Sequence, residues 1–196
     1  MSLSSMIQSS AVAAVISNPR LADNPIIDCN EAFVQLTGYE RDEIIGRNCR
    51  FLRGADTEDA LSQELREGIA AHRPTMVEIL NYKKDGTRFR NAVLVAPIFG
   101  ATGELEYFLG SQVEVAGDEA AAGDNRRKAA AERIASLTPR QREIVVHIAA
   151  GKLNKQIAYE LGLNERTVKM HRSTVIRVLG LRTTADIIRL AIEAGY

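Results

Sequence analysis

The chain has little of the chemistry that marks metal centres, disulfide scaffolds or membrane spans. Its 196 residues hold two cysteines, Cys29 and Cys49, and three scattered histidines. Two cysteines make neither a disulfide framework nor a zinc-type ligand cluster, so no metal is expected. The N-terminus lacks a basic region followed by a long apolar run, and the longest early apolar stretch, Ala11 to Ile16, is far too short to cross a bilayer. A cytoplasmic protein with reduced thiols and no membrane partner is expected from this. Internal repeats and extended low-complexity segments are absent as well.

Net charge is also lacking, but the zero hides an asymmetry. Residues 1–135 carry 15 Lys+Arg against 20 Asp+Glu, and residues 136–196 carry 10 against 5. An acidic front and a basic back suggest that only the C-terminal part approaches nucleic acid, and that the two parts attract each other; a chance partition of surface charge is the alternative.

What is present divides the chain in two. Ala11 to Ser17 and Ile26 to Cys29 read as strands. Asn30 is placed to cap a helix over Glu31 to Leu36, which Gly38 ends, and Glu40 to Ile45 makes another helical turn. Cys49 follows in a short helical segment, and Thr57 is placed to cap a helix to Ala71, with Leu61, Leu65 and Ile69 at intervals of four. The period then changes: Thr75 to Tyr82, Arg88 to Phe99 and Glu104 to Val115 are β-rich, and Asp85-Gly86 between the first two is a strong hairpin signal. The prediction is an α+β domain over residues 1–116 with a five-stranded sheet, an Ala116 to Gly123 linker with a connecting helix from Asn125 to Leu137 (residues 117–136 as a segment), and a compact all-α domain over 137–196. In that last domain Thr138-Pro139-Arg140-Gln141 opens the first helix with a capping box, Gly151 closes it, and Asn154, Asn164 and Thr183 are placed to cap three more, with three- or four-residue connections.

The most informative stretch is Gly46-Arg47-Asn48-Cys49-Arg50-Phe51-Leu52-Arg53, a lone cysteine bracketed by an amide and arginines. An isolated cysteine is most often an ordinary buried thiol. This octapeptide, however, resembles the GRNCRFLQ signature of LOV domains, the flavin-binding blue-light sensors of the PAS superfamily. The resemblance implies that Cys49 forms a reversible covalent adduct with an excited flavin. It implies that Arg50 and Arg66 bind the phosphate, as forked guanidinium donors suit an anion. It also implies that Asn48, Asn81, Asn91 and Gln112 hydrogen-bond the ring's polar edge, amides carrying both donor and acceptor. Gln112 gains a second implied role, rotating when the flavin N5 changes from acceptor to donor. Ser17, Phe33, Leu52, Val95 and Phe108 would line the apolar pocket, with plain core packing as an equal reading for each. FMN is the cofactor implied. Arg53 stands where the family often has glutamine; it adds a cation near phosphate or leaves room for FAD. Cys29 matches no family role and reads as a core thiol.

The C-terminal part, through Leu137-Thr138-Pro139-Arg140-Gln141-Arg142-Glu143, Asn154-Lys155-Gln156-Ile157-Ala158 and Glu165-Arg166-Thr167-Val168-Lys169-Met170-His171, resembles the LuxR-type helix-turn-helix. Spacing argues for it independently. Val168, Val175 and Leu179 mark one face of the third helix, and Arg166, Lys169, Met170, Ser173 and Arg177 another. The family match makes Lys169, Met170 and Ser173 base-edge readers, and Lys152, Asn154, Lys155, Thr167, His171 and Arg172 phosphate contacts. A solvated basic face is the bland alternative. The fourth helix, with Ile187, Ile188, Leu190 and Ala191, carries more apolar surface than three short helices need, so something else is expected to cover part of it; the resemblance implies that it forms the DNA-bound dimer or an interdomain surface, with a wholly internal core face as the alternative.

Together these give a non-enzymatic, blue-light-regulated transcription factor that binds double-stranded DNA as a homodimer once light releases an intramolecular sensor-reader contact. The order of domains does not set the sign of the coupling. A PAS regulator sensing redox state or a small ligand without photochemistry, and a flavin redox enzyme using Cys49, are the alternatives; no nicotinamide fingerprint or resolving cysteine supports the enzyme.

Overall fold

The structure is a computed structural model and describes residues 4–115 and 119–196, with backbone alone for 119–122. A 3-10 turn at Ser4–Met6 precedes β1 (Ala13–Ser17), β2 (Ile26–Cys29), α1 (Glu31–Thr37) and α2 (Arg41–Ile44). Another 3-10 turn (Cys49–Leu52) leads to α3 (Asp59–Ala70), β3 (Thr75–Tyr82), β4 (Arg88–Phe99) and β5 (Leu105–Val115). The helices α4 (Glu119–Ala135), α5 (Pro139–Ala149), α6 (Asn154–Glu160), α7 (Glu165–Val178) and α8 (Thr184–Glu193) follow. Among the described residues no helix is long and apolar enough to cross a membrane.

The strands form one antiparallel sheet in the order β2-β1-β5-β4-β3. Central β4 is buried along most of its length because both faces of the sheet are covered. One face packs against α1, α3 and the Cys49 turn. The other carries Ile16, Leu94, Ala96, Ile98 and Leu109 into a single apolar cluster with Ile134 of α4, Ile144 and Ile148 of α5, and Ile187, Ile188, Leu190 and Ala191 of α8. The surplus apolar surface of α8 is thus covered by α4, α5 and the sheet.

Asn30 fixes the entry to the sensor half. Its Oδ1 accepts from Phe33 N (3.0 Å) as a helix cap and from Ala14 N (2.9 Å), and its Nδ2 donates to Val12 O (2.8 Å) and Ile7 O (3.1 Å). These bonds, with Ser10 Oγ accepting from Val12 N, hold residues 11 and 12 out of the ladder, so β1 starts at Ala13. The expected cap at Thr57 is displaced in a similar way. Thr57 Oγ1 donates to Leu80 O (2.8 Å), and the helix opens after Glu58, whose carboxylate accepts from Leu80 N (2.9 Å).

Further boundaries differ from expectation or lie outside the described residues. Residues 116–118 of the expected linker, and the boundary at 116, lie outside the described residues. From Glu119 onward the chain is already helical, as its alanines favour, so α4 is longer at its front than Asn125 and stops at Ala135. In the all-α half, Thr138 and Gln141 form the expected capping box, Gly151 follows α5 at φ +77°, and Asn164 and Thr183 cap α7 and α8. The cap of α6 is Leu153, whose N–H donates to Gln156 Oε1 (2.8 Å); Asn154 is the first helical residue, and the last connection has five residues rather than four.

The two halves also meet at the β4–β5 turn. Phe99 N donates to Gly151 O (3.3 Å) and Gln156 Nε2 to Gly100 O (3.2 Å). A side chain at Gly151 would meet Pro97 O at 2.4 Å, so the approach requires glycine for space as well as for φ. At the opposite end, Ser10 Oγ donates to Asp186 Oδ1 (2.5 Å) in the α8 cap.

Asn30→Ala removes an amide that is 1% exposed and orphans several buried backbone groups. The expected loss is about 3 kcal/mol of folding stability, seen as a lower urea midpoint with unchanged slope.

Candidate functional site

Side-chain alternation along the strands turns Asn81, Asn91, Val93, Val95, Phe108, Gly110 and Gln112 to the same face of the sheet. They line a cavity of about 640 Å³, closed opposite by Ser62, Leu65, Arg66 and Ile69 of α3, by Asn48, Cys49 and Arg50, and by the connection through Pro19, Leu21, Asp23 and Asn24. That volume suits a medium-sized organic ligand. A Cβ on Gly110 would come within 2.8 Å of Val15 Cγ2, so only glycine leaves this floor open.

The polar groups of the cavity are incompletely paired. Asn91 Nδ2 donates to Asn81 Oδ1 (2.9 Å), but Asn91 Oδ1, Gln112 Oε1 and Asn24 Oδ1 are buried with no partner among the described residues. Buried acceptors are rarely left so, because each lost hydrogen bond costs free energy. The three call for a ligand bearing donors. Gln112 Nε2 lies 3.9 Å from Cys49 Sγ, which places the thiol and an amide against the same ligand position. Arg50, Arg53 and Arg66 line the cavity, with their guanidinium groups in ion pairs or hydrogen bonds to Asp23, Asp59 and Gln63 respectively. Asn48 caps the Cys49 turn through Arg50 N (3.0 Å) and donates to Asp23 O (2.7 Å). Consecutive left-handed residues, Asp23 (φ +68°) and Asn24 (φ +46°), shape that side of the cavity.

Burial pushes the Cys49 thiol up to about 12, so it is protonated at neutral pH. The group arrives with its proton attached and is a poor nucleophile until a partner is made reactive.

On the helical half, Lys155, Lys169, Met170 and Ser173 are exposed while Val168 and Val175 are buried beneath them. α7 therefore presents an open basic face over an apolar one. Lys152 Nζ is engaged, 3.2 Å from His147 Nδ1 and ion-paired with Glu160. His171 is half-buried, and Thr167 Oγ1 donates to Asn164 Oδ1 (2.9 Å) in the α7 cap.

Residues 12–116, more than half of the chain, match the family model of the PAS domain. The structure overlays the LOV domain of the blue-light photoreceptor Aureochrome1 in its light state with TM-score 0.56 and 37% identity, covering 61% of this chain and 93% of that one. The chain belongs to the PAS family, in its LOV branch. A LOV structure studied with a flavin analogue matches this LOV domain with TM-score 0.55 and 37% identity, over 60% of this chain and 87% of that one. Blue-light-activated histidine kinase 1 of Erythrobacter litoralis is 52% identical over 126 residues, 64% of this chain. The chain spans about a third (34%) of that relative's length. Behind the LOV domain, residues 135–191 match bacterial regulatory proteins of the luxR family.

The LOV cavity gathers Asn48, Cys49, Arg50, Arg53, Arg66, Asn81, Asn91, Gln112, Ser17, Val95 and Phe108. Phe33 and Leu52 do not line it. Both turn into a separate core cluster with Ile26, Cys29 and Ile44, because α1 and the Cys49 turn need an apolar anchor of their own. The expected phosphate role of Arg172 is also corrected. Its guanidinium donates to Asn154 Oδ1 (3.1 Å) and to Thr184 Oγ1, tying α6, α7 and α8 together, and burial lowers its pKa. Asn154 is occupied by the same contact. Sequence reasoning missed Asp23 and Asn24 at the LOV cavity, for which the turn-rich Asn-Pro spacing was the available signal, and it missed the burial of Arg189, for which there was none.

A neutral thiol in the folded state and a titrating one in the unfolded state set the sign of a pH effect. The folded pKa is raised, so the stabilisation from Cys49 is full below the unfolded value of 9.0 and is lost as pH rises toward about 12. Urea unfolding of the protein and of Cys49→Ser between pH 8 and pH 11 should show the parent losing stability relative to the variant as pH rises.

Proposed function

We propose that this chain is a blue-light-regulated, DNA-binding transcription factor without catalytic turnover. The observation that carries this reading is the protonated Cys49 thiol set 3.9 Å from the Gln112 amide in a cavity with orphaned acceptors, on the same chain as an exposed helix-turn-helix face. The donor set fits a flavin mononucleotide: Asn81, Asn91 and Gln112 would hold the polar ring edge, and Arg50, Arg53 and Arg66 the phosphate. A bound flavin supplies blue absorption and, once excited, an electrophilic ring carbon. Cys49 would offer Sγ to that carbon and its thiol proton to the adjoining ring nitrogen, the S–H bond being lost as the S–C and N–H bonds form. Gln112 would turn its amide to suit a neighbour that donates where it previously accepted.

The open face of α7 and the covered face of α8 suggest what light changes. The base-reading candidates Lys169, Met170 and Ser173 are accessible with the halves docked, whereas Ile187, Ile188, Leu190 and Ala191 are buried. Docking then controls dimerisation, and a lone reader holds DNA weakly. Release lets two copies pair through α8 and engage a pseudo-palindromic site. Inverting such an equilibrium from 1:99 to 99:1 takes about 5.5 kcal/mol of differential stabilisation.

An absorption spectrum of the purified protein before and after blue light, followed through dark recovery and paired with DNA binding in each state, tests the reading. A flavin band that bleaches and returns together with a light-dependent change in DNA affinity is expected; a band that never bleaches sinks it. Cys49→Ala should keep flavin and fold but lose both bleaching and the light response. Lys169→Ala should weaken binding to the cognate site by about 1–3 kcal/mol, measured by titration at fixed salt.

A further inference from the structure

Arg189 is an unusual residue to find at the centre of α8. It is flanked by the buried Ile187, Ile188, Leu190 and Ala191 and is itself 5% exposed. Its Nη1 donates to Ala92 O (3.1 Å), Ser111 O (3.2 Å) and Ser111 Oγ (3.2 Å), and its Nε to Glu193 Oε1 (2.7 Å), while Nη2 has no partner among the described residues. Burial lowers its pKa against the support of Glu193, and the positive charge of Arg126 on α4 adds to that. A cation in this position is tolerated only while its hydrogen bonds hold.

The acceptors are what make the position informative. Ala92 is on β4 and Ser111 on β5, and the next residues along, Asn91 and Gln112, point through the sheet into the cavity. Ser111 C=O and Gln112 N–H belong to one planar peptide unit, so any rotation of the backbone that carries Gln112 re-aims the carbonyl that Arg189 uses. Apolar contacts between α8 and the sheet change little under a small strand movement. Hydrogen bonds to a buried guanidinium weaken steeply with angle.

We propose that Arg189 is the positioning residue that makes docking of α8 conditional on the state of the cavity, reading the β4 and β5 carbonyls behind Asn91 and Gln112. Well-aimed carbonyls keep the buried cation paired. When the Gln112 amide turns and the strand adjusts, the cation is left short of partners, and hydration of Arg189 outside the interface becomes the lower state. This rests on the photosensory reading above and names the residue by which it is regulated. The Glu78–Arg126 ion pair between β3 and α4 holds the neighbouring helix to the same sheet and is not aimed at the Gln112 peptide.

The full-length, flavin-loaded protein, Arg189→Met and Arg189→Lys are compared by flavin bleaching and by hydrogen exchange of the α8 amides, in the dark and under blue light. Met keeps the reach and removes the charge, so its docking no longer depends on the carbonyls. Normal bleaching with α8 equally protected in dark and light is expected, where the parent should exchange about tenfold faster in light. Lys keeps the charge but loses the fork, and α8 should already exchange about tenfold faster in the dark. A Met variant that undocks in the dark or releases under light as the parent does overturns the proposal, and so does a Lys variant with parental dark protection, which serves should Met fail to fold. A parent that fails to bleach overturns the photosensory reading itself and this proposal with it; a parent that bleaches and releases, beside variants that behave as it does, overturns the Arg189 assignment alone.

Discussion

Everything in this molecule depends on a sheet with two covered faces. β4 and β5 present ligand-facing amides on one side and the floor for α8 on the other, and the alternation of side chains along a strand puts neighbouring residues into these two environments. Asn91 and Gln112 belong to the cavity, Ala92 and Ser111 to the interface. No separate transmission element is needed between them. The same constraint explains the composition of β4, which reads as nearly continuous burial rather than alternation.

The cavity and the interface also differ in what they leave unfinished. In the cavity the unmet groups among the described residues are acceptors, which fits a ligand that carries N–H or hydroxyl donors. At the interface the unmet group is a donor, on a cation. Cys49 lies beside the Gln112 amide in that cavity, and burial keeps its thiol protonated.

Local signals were legible in the sequence because their causes are local. The Thr138/Gln141 box needs only its own turn, and Asp85-Gly86 supplies the positive φ of its hairpin (Gly86, +85°) from two residues. The octapeptide around Cys49 supplies Asn48, Cys49, Arg50 and Arg53 to the cavity wall, and the resemblance it carries pointed to seven more of the lining residues. What was illegible is whatever depends on another part of the chain. Phe33 and Leu52 are apolar residues next to the ligand region, and only the packing of α1 on β1 decides that they serve a separate core. Arg172 looks like any cation on a DNA-reading helix until Asn154 and Thr184 are seen to meet it. Nothing near Arg189 in sequence marks it as buried, because its burial comes from a sheet about eighty to a hundred residues away.

The Arg172 clamp has a mechanical meaning. By joining α6, α7 and α8 through one guanidinium, it prevents α8 from peeling away by itself. On the proposed reading the helices would move as one piece, and a fault at one turn of α8 would be felt as loss of footing for the whole unit. On the same reading, release would then be an all-or-none displacement rather than a graded loosening. The 17-residue α4, about 25 Å long at 1.5 Å per residue, leads into that unit.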